Sequence, residues 1–147
     1  KTVRLLNISK SGIEKVLNNF SPGLLILYLR PFSLNNDSIL INLINIHRMY
    51  NNRGVELINF CYGNDKNKNQ ITNLLSNNHA AVKNYFINDE NLKIINNMLD
   101  YPWKNEKHEI ILIETGGNVI ERFSEDIDFY LLKKLIIKHI GRYYADN

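Results

Sequence analysis

The chain has 147 residues, of which 44% are hydrophobic, and its 18 Lys and Arg residues against 15 Asp and Glu residues give a net charge of +3. This length is enough to bury a sizeable core, and we expect residues 1–147 to form one domain. The small charge, with no basic cluster among aromatic residues, gives no indication of nucleic-acid binding. No apolar run approaches the roughly 18–20 residues that cross a bilayer.

The first predicted element is a short β-strand at residues 3–8, where apolar and polar residues alternate. Ser11 and Glu14 then have the spacing of a capping box, which predicts the start of a helix. The apolar stripe of this helix consists of Ile13, Val16, Leu17 and Phe20. Residues 24–29 are a continuous apolar run after a Pro-Gly turn, which predicts a strand covered on both faces.

A long amphipathic helix is predicted at residues 37–52, with Asn36 or Asp37 as its N-cap. Its end is indicated by Gly54, because glycine most readily adopts the left-handed conformation that terminates helices. The apolar run at residues 55–61 predicts the next strand. Strand, helix and strand together make a βαβ unit, which is almost always right-handed.

The second half begins with a polar loop at residues 63–69 and a short helix around Leu74. A minor strand at residues 82–87 follows, and Asp89 and Glu90 open another helix. Residues 101–107 are predicted to be a loop. Because two glycines separate Glu109–Glu114 from the apolar residues 119–123, this segment predicts a β-hairpin.

The last helix is predicted to start at Asp126 or Asp128. Its apolar positions at helical spacing are Tyr130, Leu131, Leu135, Ile136 and His139 or Ile140. A parallel βαβ half followed by a hairpin and a closing helix predicts an α/β fold, in which helices flank a mixed central β-sheet.

This order of elements resembles the thioredoxin superfamily, and most closely the TlpA-like thiol–disulfide oxidoreductases of the bacterial cell envelope. The resemblance is carried by Tyr28-Leu29-Arg30-Pro31-Phe32 after the first core strand and by the hairpin segment 108–123, where Gly117 matches the family's turn. It implies a thioredoxin-like fold over nearly the whole chain. It also implies a periplasmic or envelope location, although the residues present contain no signal-peptide pattern.

The residues that the family's chemistry requires are replaced. Ser33-Leu34-Asn35-Asn36 stands where the Cys-x-x-Cys motif is expected, His108 stands at the cis-proline position, and Leu27 replaces a buried polar residue. Dithiol catalysis needs a thiolate with a lowered pKa and a second thiol that resolves the mixed disulfide. We therefore expect a redox-inactive domain, and the replacements favour a non-enzymatic role without deciding it.

Two enzymatic alternatives remain open. Ser33 at a helix N-terminus is a candidate nucleophile if His108 acts as its general base, and Cys61 is a candidate lone thiol. The simpler interpretation makes Ser33 and Asn36 capping residues, His108 a surface loop residue, and Cys61 a buried structural residue.

The sequence indicates neither a metal site nor a cofactor. Cys61 is the only cysteine, which excludes an internal disulfide and a cysteine-based metal cluster. The four histidines, His47, His79, His108 and His139, share no ligand-type spacing.

A binding surface is predicted where the loop before the hairpin meets the residues that replace the redox motif. Its candidate residues are Phe32, Ser33, Tyr101, Trp103 and His108, with Pro102 beside them. The alternative is that these aromatic residues cover the edge of the core. We thus expect a binding or structural module, belonging to a longer polypeptide, whose partner at this face is a protein or peptide. The sequence does not predict the oligomeric state.

Overall fold

The computed structural model describes residues 2–32 and 37–145, with the backbone alone for residues 142–145. Its strands are β1 (Leu6–Asn7), β2 (Leu24–Arg30), β3 (Val55–Tyr62), β4 (Lys83–Ile87), β5 (Glu109–Glu114) and β6 (Val119–Ser124). Its helices are α1 (Lys10–Asn18), α2 (Ser38–Tyr50), α3 (Lys68–Asn77), α4 (Asp89–Met98) and α5 (Phe129–Ala145). The predicted α/β class, with a hairpin and a helix at the end, is confirmed.

The strands form one mixed sheet in the order β1-β4-β3-β2-β5-β6. The first four strands of this order are parallel to their neighbours, whereas β5 is antiparallel to β2 and β6 is antiparallel to β5. All seven residues of β2 are buried. The continuous apolar run therefore forms a central strand that is paired on both edges and covered on both faces.

Successive side chains of β2 point to opposite faces of the sheet and therefore enter two separate cores. Leu24, Ile26 and Tyr28 belong to the core that α2, α3 and α5 cover, on what we call the first face of the sheet. Leu25, Leu27 and Leu29 belong to the core that α1 and α4 cover, on the second face. The sheet is thus a middle layer between two helical layers.

The N-terminal elements are shorter than predicted. Only Leu6–Asn7 of the predicted strand pairs with β4. Helix α1 is capped by Ser9, whose hydroxyl accepts a hydrogen bond from the Gly12 amide at 3.1 Å, and not by Ser11. The assignment of Phe20 to the apolar stripe is wrong, because the helix ends in the left-handed Asn19 and leaves Phe20 72% exposed.

Two glycines fix the starts of β2 and β3. Gly54 has φ of 82° and ends the short 3-10 helix Asn51–Arg53 that follows α2, as its left-handed preference predicts. The Leu24 amide donates a hydrogen bond to the Gly54 carbonyl at 2.8 Å. A Cβ atom on Gly23 would lie 2.2 Å from the same carbonyl oxygen, so this contact requires a glycine.

Helix α5 closes the first face. The Asp128 carboxylate accepts a hydrogen bond from the Leu131 amide at 3.0 Å, which agrees with its predicted place at the helix start. Leu132, Ile136 and Ile140 are buried, whereas Tyr130, predicted as an apolar core position, is 78% exposed. No helix in the described ranges is long and apolar enough to cross a membrane.

Candidate functional site

The candidate site lies at the carboxyl-terminal edge of β2, where open α/β sheets bind their ligands. Arg30, the last residue of β2, is buried, and its guanidinium lies 3.6 Å from Oδ1 of Asp37. Asp37 directly precedes α2, where a negative charge is favoured by the helix dipole. The ion pair therefore joins the end of β2 to the start of α2.

Asp37 does not act as the predicted side-chain cap of α2. Its carboxylate makes no capping hydrogen bond to the helix. Instead Oδ2 accepts a hydrogen bond from the side-chain amide of Asn78 at 3.2 Å, while Oδ1 faces Arg30. Asp37 thus connects three segments that are distant in sequence.

A hydrogen bond between Tyr28 and His108 continues this polar cluster. The Tyr28 hydroxyl and Nδ1 of His108 are hydrogen-bonded at 2.5 Å. The positive charge of Arg30 lies close enough to act on both side chains.

Burial controls the ionisation of both residues. It raises the pKa of Tyr28 far above its usual value, although the Arg30 guanidinium opposes this rise. Burial also lowers the pKa of His108, and the positive charge of Arg30 lowers it further. A neutral tyrosine and a neutral histidine therefore meet at neutral pH.

Cys61 lies beside this cluster but carries no reactive thiolate. It is 1% exposed, and the register of β2 and β3 pairs it with Arg30. Burial raises the pKa of its thiol to about 12, even though the Arg30 guanidinium favours the thiolate. At neutral pH the residue is a protonated thiol inside the core of the first face, so the geometry does not favour a nucleophilic role.

The structure describes only part of the predicted catalytic set. Ser33 and Asn36 lie outside the described residues, so the Ser33–His108 pair stays a prediction. His108 directly precedes β5 and lies beside Arg30, by extension of the β2–β5 register. No cis peptide bond occurs in the described chain, so the peptide before His108 is trans.

The predicted aromatic binding residues divide between the two faces. Phe32 packs against the core of the first face, and Trp103 is 3% exposed within the core of the second face. Trp103 therefore covers the core edge, which was the alternative interpretation. Tyr101, two residues earlier, is 73% exposed.

The loop that carries Tyr101 is anchored at several points. The indole of Trp103 donates a hydrogen bond to the Lys107 carbonyl at 2.7 Å, and its ring packs edge-on against Tyr62. The Trp103 amide donates to the side chain of Asn96 at 2.8 Å. These contacts hold the loop against the second face.

A charged pair on the hairpin provides a further anchor. Arg122 makes a bidentate ion pair with the buried Glu109, with distances of 2.5 and 3.0 Å, and donates to the Tyr101 carbonyl at 2.8 Å. Ser124 donates a third hydrogen bond to Glu109 at 2.8 Å. The backbone of Tyr101 is thereby fixed while its ring projects into solvent.

An open groove of about 470 Å³ runs between this loop and the hairpin. Its apolar lining comes from α4, the loop and both hairpin strands, and consists mainly of Met98, Leu99, Tyr101, Ile111, Ile113 and Val119. Arg122 also lines it. A second hollow of about 400 Å³ on the other side of Tyr101 is lined by Pro102, Trp103, Lys104 and Lys107 among others.

Metal binding has no basis in the described part of the chain. No group of three or more His, Cys, Asp or Glu side chains there has an arrangement that holds a metal ion.

Solved structures with the same arrangement of elements share little sequence with this chain. A thioredoxin-family thiol:disulfide interchange protein from Chlorobium tepidum TLS aligns with a TM-score of 0.67 and 10% identity over 96% of this chain and 100% of its own. The chain described here has a thioredoxin-like fold. It contains a single cysteine, so the Cys-x-x-Cys motif is absent from it.

Two further structures support the same fold. A thiol:disulfide interchange protein from Bacteroides sp. has a TM-score of 0.61 and 11% identity, over 85% of this chain and 78% of its own. A 2-Cys peroxiredoxin from Plasmodium vivax has a TM-score of 0.56 and 18% identity, over 82% of this chain and 68% of its own. No protein-family profile matches the thioredoxin-like chain, and no curated protein matches it significantly.

Sequence reasoning missed Arg30 as a buried charge and missed the Glu109–Arg122 pair. A signal existed for each of them. Arg30 ends an otherwise apolar strand, and counting outward from the hairpin turn places Glu109 and Arg122 close together on adjacent strands. Leu27, assigned to the polar position under the motif, is buried in the core of the second face, and the polar residues Tyr28 and Arg30 belong to the first face.

Proposed function

We propose that this thioredoxin-like domain is redox-inactive and binds a peptide segment of a partner protein in the groove beside Tyr101. The observation that carries this proposal is the exposed Tyr101 ring on a loop anchored through Trp103 and Arg122. A large side chain held in place before binding loses little conformational entropy on contact. Aromatic residues of this kind dominate the energetics of protein interfaces.

The edge of the sheet favours an extended segment. In the described chain β6 is the last strand of the sheet and pairs only with β5. Its residues 119–122 line the groove together with Met98 and Tyr101. A peptide strand can add to such an edge while its apolar side chains enter the groove.

Redox inactivity is supported by the state of the one thiol. Cys61 is buried and protonated at neutral pH, and the chain offers no second cysteine to resolve a mixed disulfide. A location in the bacterial cell envelope belongs to the same proposal, and its support is the resemblance to the TlpA-like proteins.

An insulin-reduction assay tests the redox part. We expect no turnover above the dithiothreitol background. The matched control is the double variant S33C/N36C, which restores cysteines at both motif positions, with an active thioredoxin as the positive reference. Catalytic turnover by the native chain would refute this part of the proposal.

A random-peptide phage library tests the binding part. Selected peptides should bind the native domain and should bind Y101A about tenfold or more weakly, because exposed aromatic anchors contribute strongly to affinity. The control is Y130A, which removes an equally exposed tyrosine on the first face. Binding that is equal in native protein and Y101A would contradict the groove as the site.

A further inference from the structure

The helical layer on the first face contains no acidic residue. Helices α2, α3 and α5, of 13, 10 and 17 residues, carry no Asp or Glu in their sequences. Their cations include Arg48, Lys68, Lys133, Lys134 and Lys138. The chain as a whole has 15 acidic residues against 18 basic ones, so this layer departs strongly from the average composition.

The opposite layer has mixed charge. Helix α1 contains Glu14, and α4 begins with Asp89 and Glu90. The exposed cations of these two helices are Lys10, Lys15 and Lys93. The two sides of the sheet therefore differ in acidic content while each carries several exposed lysine or arginine side chains.

The outer surfaces of α2 and α5 also expose large apolar side chains. These exposed side chains are Ile41 and Met49 on α2, and Tyr130 and Ile137 on α5. The inward sides of both helices are already occupied by the core of the first face. Contact with that core therefore does not account for these four side chains.

On α5 the apolar and basic residues form one stripe. Tyr130, Lys133, Lys134, Ile137 and Lys138 are all exposed and follow the i, i+3, i+4, i+7, i+8 spacing of one helical side. The stripe is about 12 Å long at the rise of an α-helix. The nearest preceding acids, Asp126 and Asp128, come before the helix, and Asp128 caps it.

We propose that the outer surface of α2 and α5 docks on a bilayer that contains anionic lipids. Lysine side chains reach headgroup phosphates with their ammonium groups while their alkyl chains lie along an apolar boundary. Tyr130, Ile137, Ile41 and Met49 supply the apolar side chains that enter this boundary. The charge is complementary because the three helices carry cations and contain no Asp or Glu, the acids Asp126 and Asp128 lying before α5.

A bilayer fits these side chains better than a nucleic acid does. Phosphates of a nucleic acid attract the lysines, but the exposed aliphatic residues Ile137 and Met49 gain nothing from them. Protein surfaces for single-stranded nucleic acid present several aromatic rings on which bases stack, and only Tyr130 is present on this stripe.

Vesicle co-sedimentation of the full chain tests the proposal. We expect binding to vesicles of phosphatidylcholine with phosphatidylglycerol, weak binding to phosphatidylcholine alone, and loss of binding at high salt. Each cation near an anionic surface contributes about a fivefold gain in affinity. K133Q/K134Q/K138Q should therefore weaken binding on the order of a hundredfold.

The matched control is K10Q/K15Q/K93Q, which removes the same charge from the opposite layer and should leave binding within about twofold of the native value. The variant M49S/I137S, which keeps every lysine, should also weaken binding. Circular dichroism checks that each variant folds. Failure of the native chain to bind anionic vesicles, or equal weakening by both triple variants, would overturn the proposal. Tighter binding to a DNA duplex through the same lysines would assign the surface to nucleic acid instead.

Discussion

The Tyr28 hydroxyl and Nδ1 of His108 form a hydrogen bond of 2.5 Å between residues that are 80 positions apart. Tyr28 lies in the central strand, and His108 directly precedes β5. The contact fastens the start of β5 to the end of β2.

Removing this hydroxyl should weaken the fold and change the titration of His108. We expect Y28F to lower the free energy of unfolding by about 1–2 kcal/mol, because a hydrogen bond at a partly buried site is lost. The titration of His108 should also shift, because the Tyr28 hydroxyl is the hydrogen-bond partner of its Nδ1 atom. Urea denaturation and an NMR titration measure the two effects.

The control for this variant is Y85F on the second face, which should leave the His108 titration unchanged. An unchanged His108 pKa in Y28F would contradict the hydrogen bond.

Most of the fold was predictable because its signals are local. The run at residues 24–29 and the glycines of the hairpin gave β2, β5 and β6 nearly at their observed limits. Phe20 was misassigned because the helical period was counted past Asn19, where the backbone turns left-handed. Periodicity alone does not mark such an end.

The candidate site was less predictable because its contacts join distant segments. Arg30 at the end of β2 meets Asp37 just before α2, and Tyr28 meets His108 only once β5 has paired with β2. The sequence contains each residue but not the register that brings them together. The burial of Trp103 likewise depends on the packing of α4 against the second face, which no local pattern specifies.

Acid should destabilise the protein through His108. The folded protein has a lowered His108 pKa, whereas the unfolded chain has the ordinary value near 6.5. Below that value the unfolded chain takes up the proton first, so stability present at higher pH is lost as the pH falls towards the folded pKa.

Denaturation midpoints at about pH 7.5 and 5.5 provide the measurement. The control variant H108N keeps an acceptor for Tyr28 but does not titrate, so its midpoint should fall less than that of the native chain. An equal fall in both proteins would exclude His108 as the cause.

The buried guanidinium of Arg30 should depend on Asp37. We expect D37N to lower the free energy of unfolding by about 1–3 kcal/mol, since it leaves a buried cation without its counter-ion. This is below the roughly 3–5 kcal/mol lost when a fully buried pair is broken, because the Asp37 side chain is 30% exposed. The comparison variant is D65N, at an aspartate that is 89% exposed, which should change stability by less than about 0.5 kcal/mol.

Cys61 should resist thiol reagents until the protein unfolds. With a pKa raised to about 12 from 9.0, its thiolate fraction at neutral pH is about a thousandfold below that of an exposed cysteine. The variant S11C adds an exposed thiol on α1 to the same chain. One thiol per molecule of S11C should react rapidly with a disulfide reagent, and the second only in denaturant. Rapid reaction of both thiols in the native state would contradict the burial of Cys61.

Trp103 and Tyr101 should differ in what they contribute, although they are two residues apart. W103A should lose about 3–5 kcal/mol of stability, because a large side chain is removed from the core of the second face. W103F, which keeps most of the ring volume, should recover much of this loss but still lack the hydrogen bond to the Lys107 carbonyl, at a cost of about 1 kcal/mol.

Y101A should stay within about 0.5 kcal/mol of the native chain, because its ring lies in solvent and its backbone still accepts from Arg122. Thermal and urea denaturation of the three variants measure this order, and a large loss in Y101A would mean that Tyr101 supports the fold and is not free to bind a partner.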